Sequence, residues 1–313
     1  MPDRVLAAIR GQPWAIVPEY LAAIEAVAMR LMTAPALEAL RLDGHGERHD
    51  HLLGAVAAMG VRLEGARGAT VRDGVAALPI FGPIFPRAQS MSLSSGGTSL
   101  DMLAADFRVA VASSAVSQIL MVVDSPGGLV SGVAEFADLV RSSAKPVTAF
   151  VAGSGSSAAY WIASQAGELV VSSIALVGNI GVVVSASTQE APDQNGRRAV
   201  EIVSSNAANK RPDLTTKEGL AVIRAELDRV ESVFIGDVAA GRKVSRDTVL
   251  QDFGRGGSLV GAAAVKAGMA DRVDTLEATL LRLARLRTTA PTGQRRALAE
   301  RELEVRHRRA GVS

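Results

Sequence analysis

The residues of this sequence that are equipped for bond-making chemistry gather at two glycine-rich turns. Asp124–Gly128 reads DSPGG and Gly153–Tyr160 reads GSGSSAAY. Each follows an apolar run of strand character and precedes a segment of helical character, so each presents backbone N–H groups where a strand hands over to a helix. That is the geometry an oxyanion hole requires. A single glycine-rich turn marks only a tight bend. The pair is more specific: a serine at the head of the second helix, Ser156 or Ser157, held beside N–H donors from the neighbouring turn, has the parts needed to attack a carbonyl and stabilise the oxyanion that forms.

The proton acceptor follows by elimination. The histidines are His45, His49, His51 and His307, all outside the region of these turns, so a Ser-His-Asp triad would need one of them folded back into the site. There is no cysteine, which removes disulfides, thiolate metal sites and a cysteine nucleophile. Arginine keeps its proton in proteins. The remaining nitrogen bases are Lys145, Lys210, Lys217, Lys243 and Lys266. A lysine acting as base must be neutral, whereas a free one titrates near ~10.4, so the base needs desolvation or a neighbouring like charge. The three early histidines with Glu47 and Asp50 match no standard zinc spacing. No metal and no cofactor are expected.

The elements that must position these residues read as an α/β domain from Gly74 onward. Strands are predicted at Val75–Ile84, Gln118–Asp124, Pro146–Val151, Leu169–Ser172, Ile180–Ser185 and in MADRV at Met269–Val273. Between them fall helical segments at Ser99–Ala115, Val130–Ser143, Ser157–Ala166, Thr215–Ala240 and Gly261–Gly268. SPGG is predicted as a turn. Ahead of the domain, Pro2–Leu42 has helical spacing (Leu6, Ile9, Ile16, Leu21, Ile24, Val27, Leu31) and reads as a helical arm, closed by the polar stretch Asp43–His51. After Val273 come a helix at Leu276–Leu286 and an Arg/Glu-rich tail. The expected division is therefore 1–73, helical arm and linker; 74–286, catalytic domain; and 287–313, tail.

Composition sets the outer limits. The chain has 313 residues, 48% hydrophobic but only 4% aromatic, and a net charge of +2. Its core must be filled by Ala, Val, Leu and Ile, and so small a charge implies no polyanionic partner for the whole chain. The tail, with Arg295, Arg296, Arg301, Arg306, Arg308 and Arg309 among glutamates, reads as a solvated or disordered helix rather than a nucleic-acid contact. No apolar run approaches the roughly 18 to 20 residues of a membrane span, and the first 20 residues form no signal-peptide core. A cytoplasmic protein is expected.

At DSPGG (Asp124–Gly128), SSAAYWIAS (Ser156–Ser164), LVGNIGVV (Leu176–Val183), SSNAANKRPD (Ser204–Asp213) and GAAAVKAGMADRV (Gly261–Val273) the chain resembles the signal-peptide-peptidase-A family of Ser-Lys serine peptidases. It is most similar to the phage branch, which supplies prohead (capsid maturation) proteases. GQPWAIVPEYL (Gly11–Leu21) resembles that branch too. The resemblance implies a ClpP/crotonase-like fold of repeated ββα units, with the arm and tail appended. It places the nucleophile on Ser157, with Ser156 as the adjacent alternative, and the base on Lys210. It puts the oxyanion hole at Gly127, Gly128, Ser157 and Ala158, and substrate contacts at Ser125, Gly155, Ser156, Gly178, Asn179 and Ile180. Ala158–Ala159, where many relatives have a glycine pair, and Asn209 before the base bear on substrate preference.

The implied function is ATP-independent endopeptidase action through an acyl-enzyme on a polypeptide substrate. Phage head or scaffold proteins are the implied partners, in the host cytoplasm or within the prohead. It also implies a homo-oligomer whose neighbouring protomers complete each site. The rivals are a cytoplasmic signal-peptide-peptidase-like enzyme, an acyl-CoA enzyme of the crotonase type with acidic catalytic residues, and a noncatalytic head or scaffold component on the same fold.

Overall fold

The computed structural model describes residues 12–22, 24–25, 54, 60–87, 97–186 and 203–289. The histidine-bearing stretch at Asp43–His51, most of the expected helical arm and the tail from residue 290 lie outside them.

Two sheets build the domain. Strand β1 (Trp14–Ile16) belongs to a four-stranded sheet; β2 (Val61–Arg62) and β3 (Thr70–Arg72) form an antiparallel edge of a nine-stranded one. The centre of the large sheet is β4 (Val75–Phe81), followed in space by β7 (Gln118–Ser125) and β9 (Val147–Ser156), all parallel. Between β4 and β7 in sequence come β5 (Ile84–Phe85), β6 (Thr98–Ser99) and helix α1 (Leu100–Ala112). Strand β8 (Gly127–Leu129) and helix α2 (Val133–Arg141) separate β7 from β9. The small sheet runs β1-β8-β5-β6.

Strict alternation explains why the central strands read as continuous apolar runs. Ile119, Met121 and Val123 of β7 enter the main core with Leu78 and Ile80 of β4 and Ala149 and Val151 of β9. Leu120 and Val122 point the other way, with Val75, Ala77 and Phe81 of β4 and Phe150 of β9. A parallel sheet covered on both faces needs apolar side chains at both parities. The main-core face is covered by α1, through Leu100, Leu103, Phe107 and Ala110, and by α2, through Val133, Phe136, Ala137 and Val140. Phe107 meets Phe136 edge to face at 5.8 Å.

Beyond β9 lie α3 (Ala158–Ala163), β10 (Glu168–Val171) and β11 (Leu176–Gly178). The ten-residue β9 is shared: β10 pairs with its first half and β11 with its last residues, Leu176↔Ser154 to Gly178↔Ser156. A 3-10 turn at Ala208–Lys210 precedes the long α4 (Lys217–Arg242), then α5 (Arg246–Asp252), β12 (Ser258–Val260), α6 (Gly261–Lys266), β13 (Arg272–Val273) and α7 (Leu276–Thr289). Helix α7 lays Leu276, Leu280, Leu283 and Ala284 on the second face. The last turns of α4 bury Phe234, Ile235, Val238 and Ala239, whereas of its first half only Gly219 is buried.

The mixed α/β class agrees with expectation. Three local readings are corrected. Trp14–Ile16 is a strand inside the segment expected to be helical, because β8 offers it a partner edge. Gly127–Leu129 is a strand where a turn was expected, because β1 and β5 offer it partner edges. Of the strand expected at Ile180–Ser185, Val183 makes an isolated bridge to Trp14, and the neighbouring strand is Leu176–Gly178.

Candidate active site

Strand β9 stops at Ser156 and helix α3 starts at Ala158, so Ser157 takes the whole change of direction. Its backbone sits at φ 54°, ψ −119°, the first central position of a type II′ turn, which belongs to glycine. Holding a side-chain residue there costs of order 1–3 kcal/mol and needs surroundings that enforce it. Those surroundings are visible. Ser157 N–H donates to the Gly178 carbonyl at 2.7 Å, and Trp161 N–H donates to the Ser157 carbonyl at 2.9 Å. All six residues of α3 are buried. Trp161 stacks on Phe234 at 4.5 Å and its Nε1 donates to Asp237 Oδ2 at 2.8 Å. Tyr160 donates its hydroxyl to the Met269 carbonyl at 3.0 Å, and burial raises the pKa of that phenol far above its usual value. Ser156 is different: it lies in the ladder opposite Gly178 and its Oγ is 2.9 Å from Ser154 Oγ.

The two glycine-rich turns are fastened to each other. Asp124 Oδ1 accepts the Ser154 N–H at 2.8 Å. Ser125, fully buried, donates its hydroxyl to the Gly82 carbonyl at 2.7 Å and accepts Gly127 N–H at 3.2 Å. Gly127 has φ +98°, and a Cβ there would stand 3.0 Å from Ser157 Cβ. A Cβ on Gly128 would stand 2.0 Å from the Ile84 carbonyl oxygen. Both glycines are therefore required, one by conformation and one by the closeness of β5, and together they bring the DSPGG backbone against Ser157. Ser157 itself is fully buried, with its Oγ 3.5 Å from the Gly181 carbonyl.

A strand-to-helix serine in a strained turn, beside the glycine backbone of a neighbouring strand, is a nucleophile elbow in form. Comparison with known proteins agrees in kind: residues 140–289 match the model of peptidase family S49. The chain is 28% identical over 219 residues to the capsid assembly protease C of Escherichia phage lambda, covering 66% of this chain and 48% of that protein. It is 29% identical over 192 residues to the head-tail preconnector protein GP5 of Enterobacteria phage P21, covering 58% and 37%. The chain thus spans half or less of the length of these curated relatives.

Around Ser157 the residues expected at the site are only partly gathered. Gly127, Gly128, Ser156, Ser157, Ala158 and Gly178 meet at one crossing of β8, β9 and β11. Gly155 packs against Val151 of its own strand. Asn179, at φ 53°, donates its N–H to Gly257 and its side-chain amide to Gly256, and Ile180 is buried. Lys210 ends the 3-10 turn, exposed, and shares no hydrogen bond with Ser157. Among the described residues no cluster of His, Asp and Glu is arranged to hold a metal.

Three participants were missed from sequence. Asp124 stands inside DSPGG, where its carboxylate was a visible signal for tying down a turn. Glu231 of α4 reaches to 3.7 Å from where a Cβ of Gly181 would stand; burial and then the nearby Asp228 push its carboxyl up. The third is β1. Trp14–Ile16 pairs with β8 on one side and Val183 on the other, and its signal was a short apolar run between Pro13 and Pro18.

Proposed function

We propose that this chain is an ATP-independent serine endopeptidase that uses Ser157 as nucleophile and Lys210 as general base, and that it processes phage head or scaffold proteins during capsid maturation. The observation that carries the reading is the φ 54°, ψ −119° backbone of Ser157, a strain the fold sustains at the residue matching the family's nucleophile. In the mechanism, Ser157 Oγ attacks a peptide carbonyl carbon while its proton passes to the neutral Lys210 amine. The oxyanion is held by N–H groups of the Gly127–Gly128 segment and the head of α3. Collapse breaks the C–N bond, the leaving amine takes the proton from Lys210, and water activated by the same amine hydrolyses the acyl-enzyme.

Lys210 reaches Ser157 through assembly. Its turn and the sparsely buried first half of α4, with Leu220 exposed, form a face suited to a second copy, which would receive the lysine and desolvate it. A ClpP/crotonase-like arrangement of the sheet and a location in the host cytoplasm or prohead accompany this reading. The full burial of Ser157 and the exposure of Lys210 favour one alternative, a noncatalytic head component on the same fold.

The test is hydrolysis of an unstructured polypeptide at mildly alkaline pH without ATP. Ser157→Ala, Lys210→Ala and Lys210→Arg should each abolish turnover, since arginine cannot accept the proton. Mixing Ser157→Ala with Lys210→Ala should restore about a quarter of wild-type activity if neighbours share sites at random. Full activity in any single variant would overturn the assignment, and intact assembly with no wild-type turnover would favour the noncatalytic reading.

A further inference from the structure

Residues 14–16 form a strand whose two backbone edges are both engaged. On one edge they pair antiparallel with β8, Trp14↔Leu129, Ala15↔Gly128 and Ile16↔Gly127. The ladder is extended by Val17 N–H to the Pro126 carbonyl at 3.0 Å and Val130 N–H to the Pro13 carbonyl at 3.4 Å. On the other edge Trp14 and Val183 exchange both backbone hydrogen bonds, each 2.8 Å. The segment is thus a strand threaded between DSPGG and the stretch that follows Gly181, with both edges engaged. An extended polypeptide presented to Ser157 must satisfy its backbone on these same two edges.

The side chains are sorted by parity. Trp14 and Ile16 enter a small apolar cluster with Leu21 and Phe85, while Ala15 faces the main core that includes Ala158. One point ties the strand to the nucleophile: the position a Cβ on Gly127 would take is 2.2 Å from the Ala15 carbonyl oxygen and 3.0 Å from Ser157 Cβ. The Ala15 carbonyl and Ser157 therefore flank the same side of Gly127, and Ser157 is fully buried.

We propose that Trp14–Ile16 is a built-in pseudosubstrate, bound in the polypeptide site so that Ser157 stays closed until a substrate strand replaces it. This rests on Ser157 being the peptidase nucleophile. The occupant also defines what displaces it: an extended apolar peptide with a small residue at the position facing Ser157 and bulky apolar residues on either side.

The chain has two tryptophans, so Ser157→Ala combined with Trp161→Phe leaves Trp14, itself buried, as the sole reporter. Titration with a synthetic peptide of residues 12–18 carrying Trp14→Phe should give a saturable red shift as Trp14 moves into water. In the active chain, Ala15→Arg, which cannot be seated at a fully buried alanine, should raise turnover of an unstructured polypeptide about tenfold or more, as expected when a competent minor state becomes the major one. An unshifted Trp14 at saturating peptide would overturn the proposal and make β1 a permanent strand, whatever becomes of the Ala15→Arg chain. Ser157-dependent turnover with Trp14 still buried would sink the pseudosubstrate while leaving the peptidase standing. A shifted Trp14 with no turnover in any variant would keep the strand site and reject the peptidase reading.

Discussion

Removing the Ser157 hydroxyl in two ways separates backbone strain from chemistry. Ser157→Ala and Ser157→Gly both remove the hydroxyl, whose 3.5 Å approach to Gly181 is too long for its loss to matter much to stability. The variants differ in Cβ alone. At an ordinary buried position, alanine to glycine loses about 0.8 kcal/mol of methyl burial and about 0.5–1 kcal/mol to the freer unfolded chain, roughly 1.5 kcal/mol together. At φ 54°, ψ −119°, glycine also releases about 1–3 kcal/mol of strain. On central values Ser157→Gly should be the more stable variant by about 0.5 kcal/mol. The assay is urea unfolding of both, read as a shift in midpoint at unchanged slope. If glycine proves less stable than alanine by about 1.5 kcal/mol, the ordinary penalty, the turn carries no strain and the argument that singles out Ser157 fails.

Two further outcomes follow from the supports of this turn. Burial disfavours ionisation of Asp271, but hydrogen bonds from Arg242 and the Leu169 N–H, with the nearby charges, outweigh it and hold the carboxyl below the usual carboxylate range. A depressed folded pKa adds stability that is present above the unfolded value of ~3.9 and disappears as pH falls through the folded one. Asp271→Asn should therefore lower stability at neutral pH and flatten its acid dependence below ~4, measured by unfolding midpoints across pH; an unchanged acid profile would contradict this. Asp237→Ala should cost about 1–3 kcal/mol by leaving the Trp161 indole N–H buried without its acceptor. Trp161→Phe should cost much less in the Asp237→Ala background than in the wild type, and equal costs would show that the hydrogen bond does not matter.

Much of the candidate site could be named from sequence because it is local. DSPGG and GSGSSAAY announce themselves by glycine placement, and the central strands by unbroken apolar runs that only a sheet covered on both faces requires. Elimination over histidine, cysteine and arginine narrowed the base without any structure. The helical reading of residues 2–42 failed at Trp14–Ile16 because spacing reports what a segment does alone, and this segment's edges are supplied by β8 and Val183, more than 100 residues away in sequence.

Sequence by itself determined the two glycine-rich segments, the serine pair and the short set of lysines, since these depend on residue type and nearest neighbours. Tertiary structure decided that Ser157 and not Ser156 bears the strained turn, because only the Gly178 carbonyl and a wholly buried α3 enforce that backbone. It also decided that the chain's own Ala15 pairs with the glycines beside Ser157 and that Ser157 is buried while Lys210 is exposed. Both are long-range placements, in which backbone hydrogen bonding and burial across distant segments override what each segment would do alone.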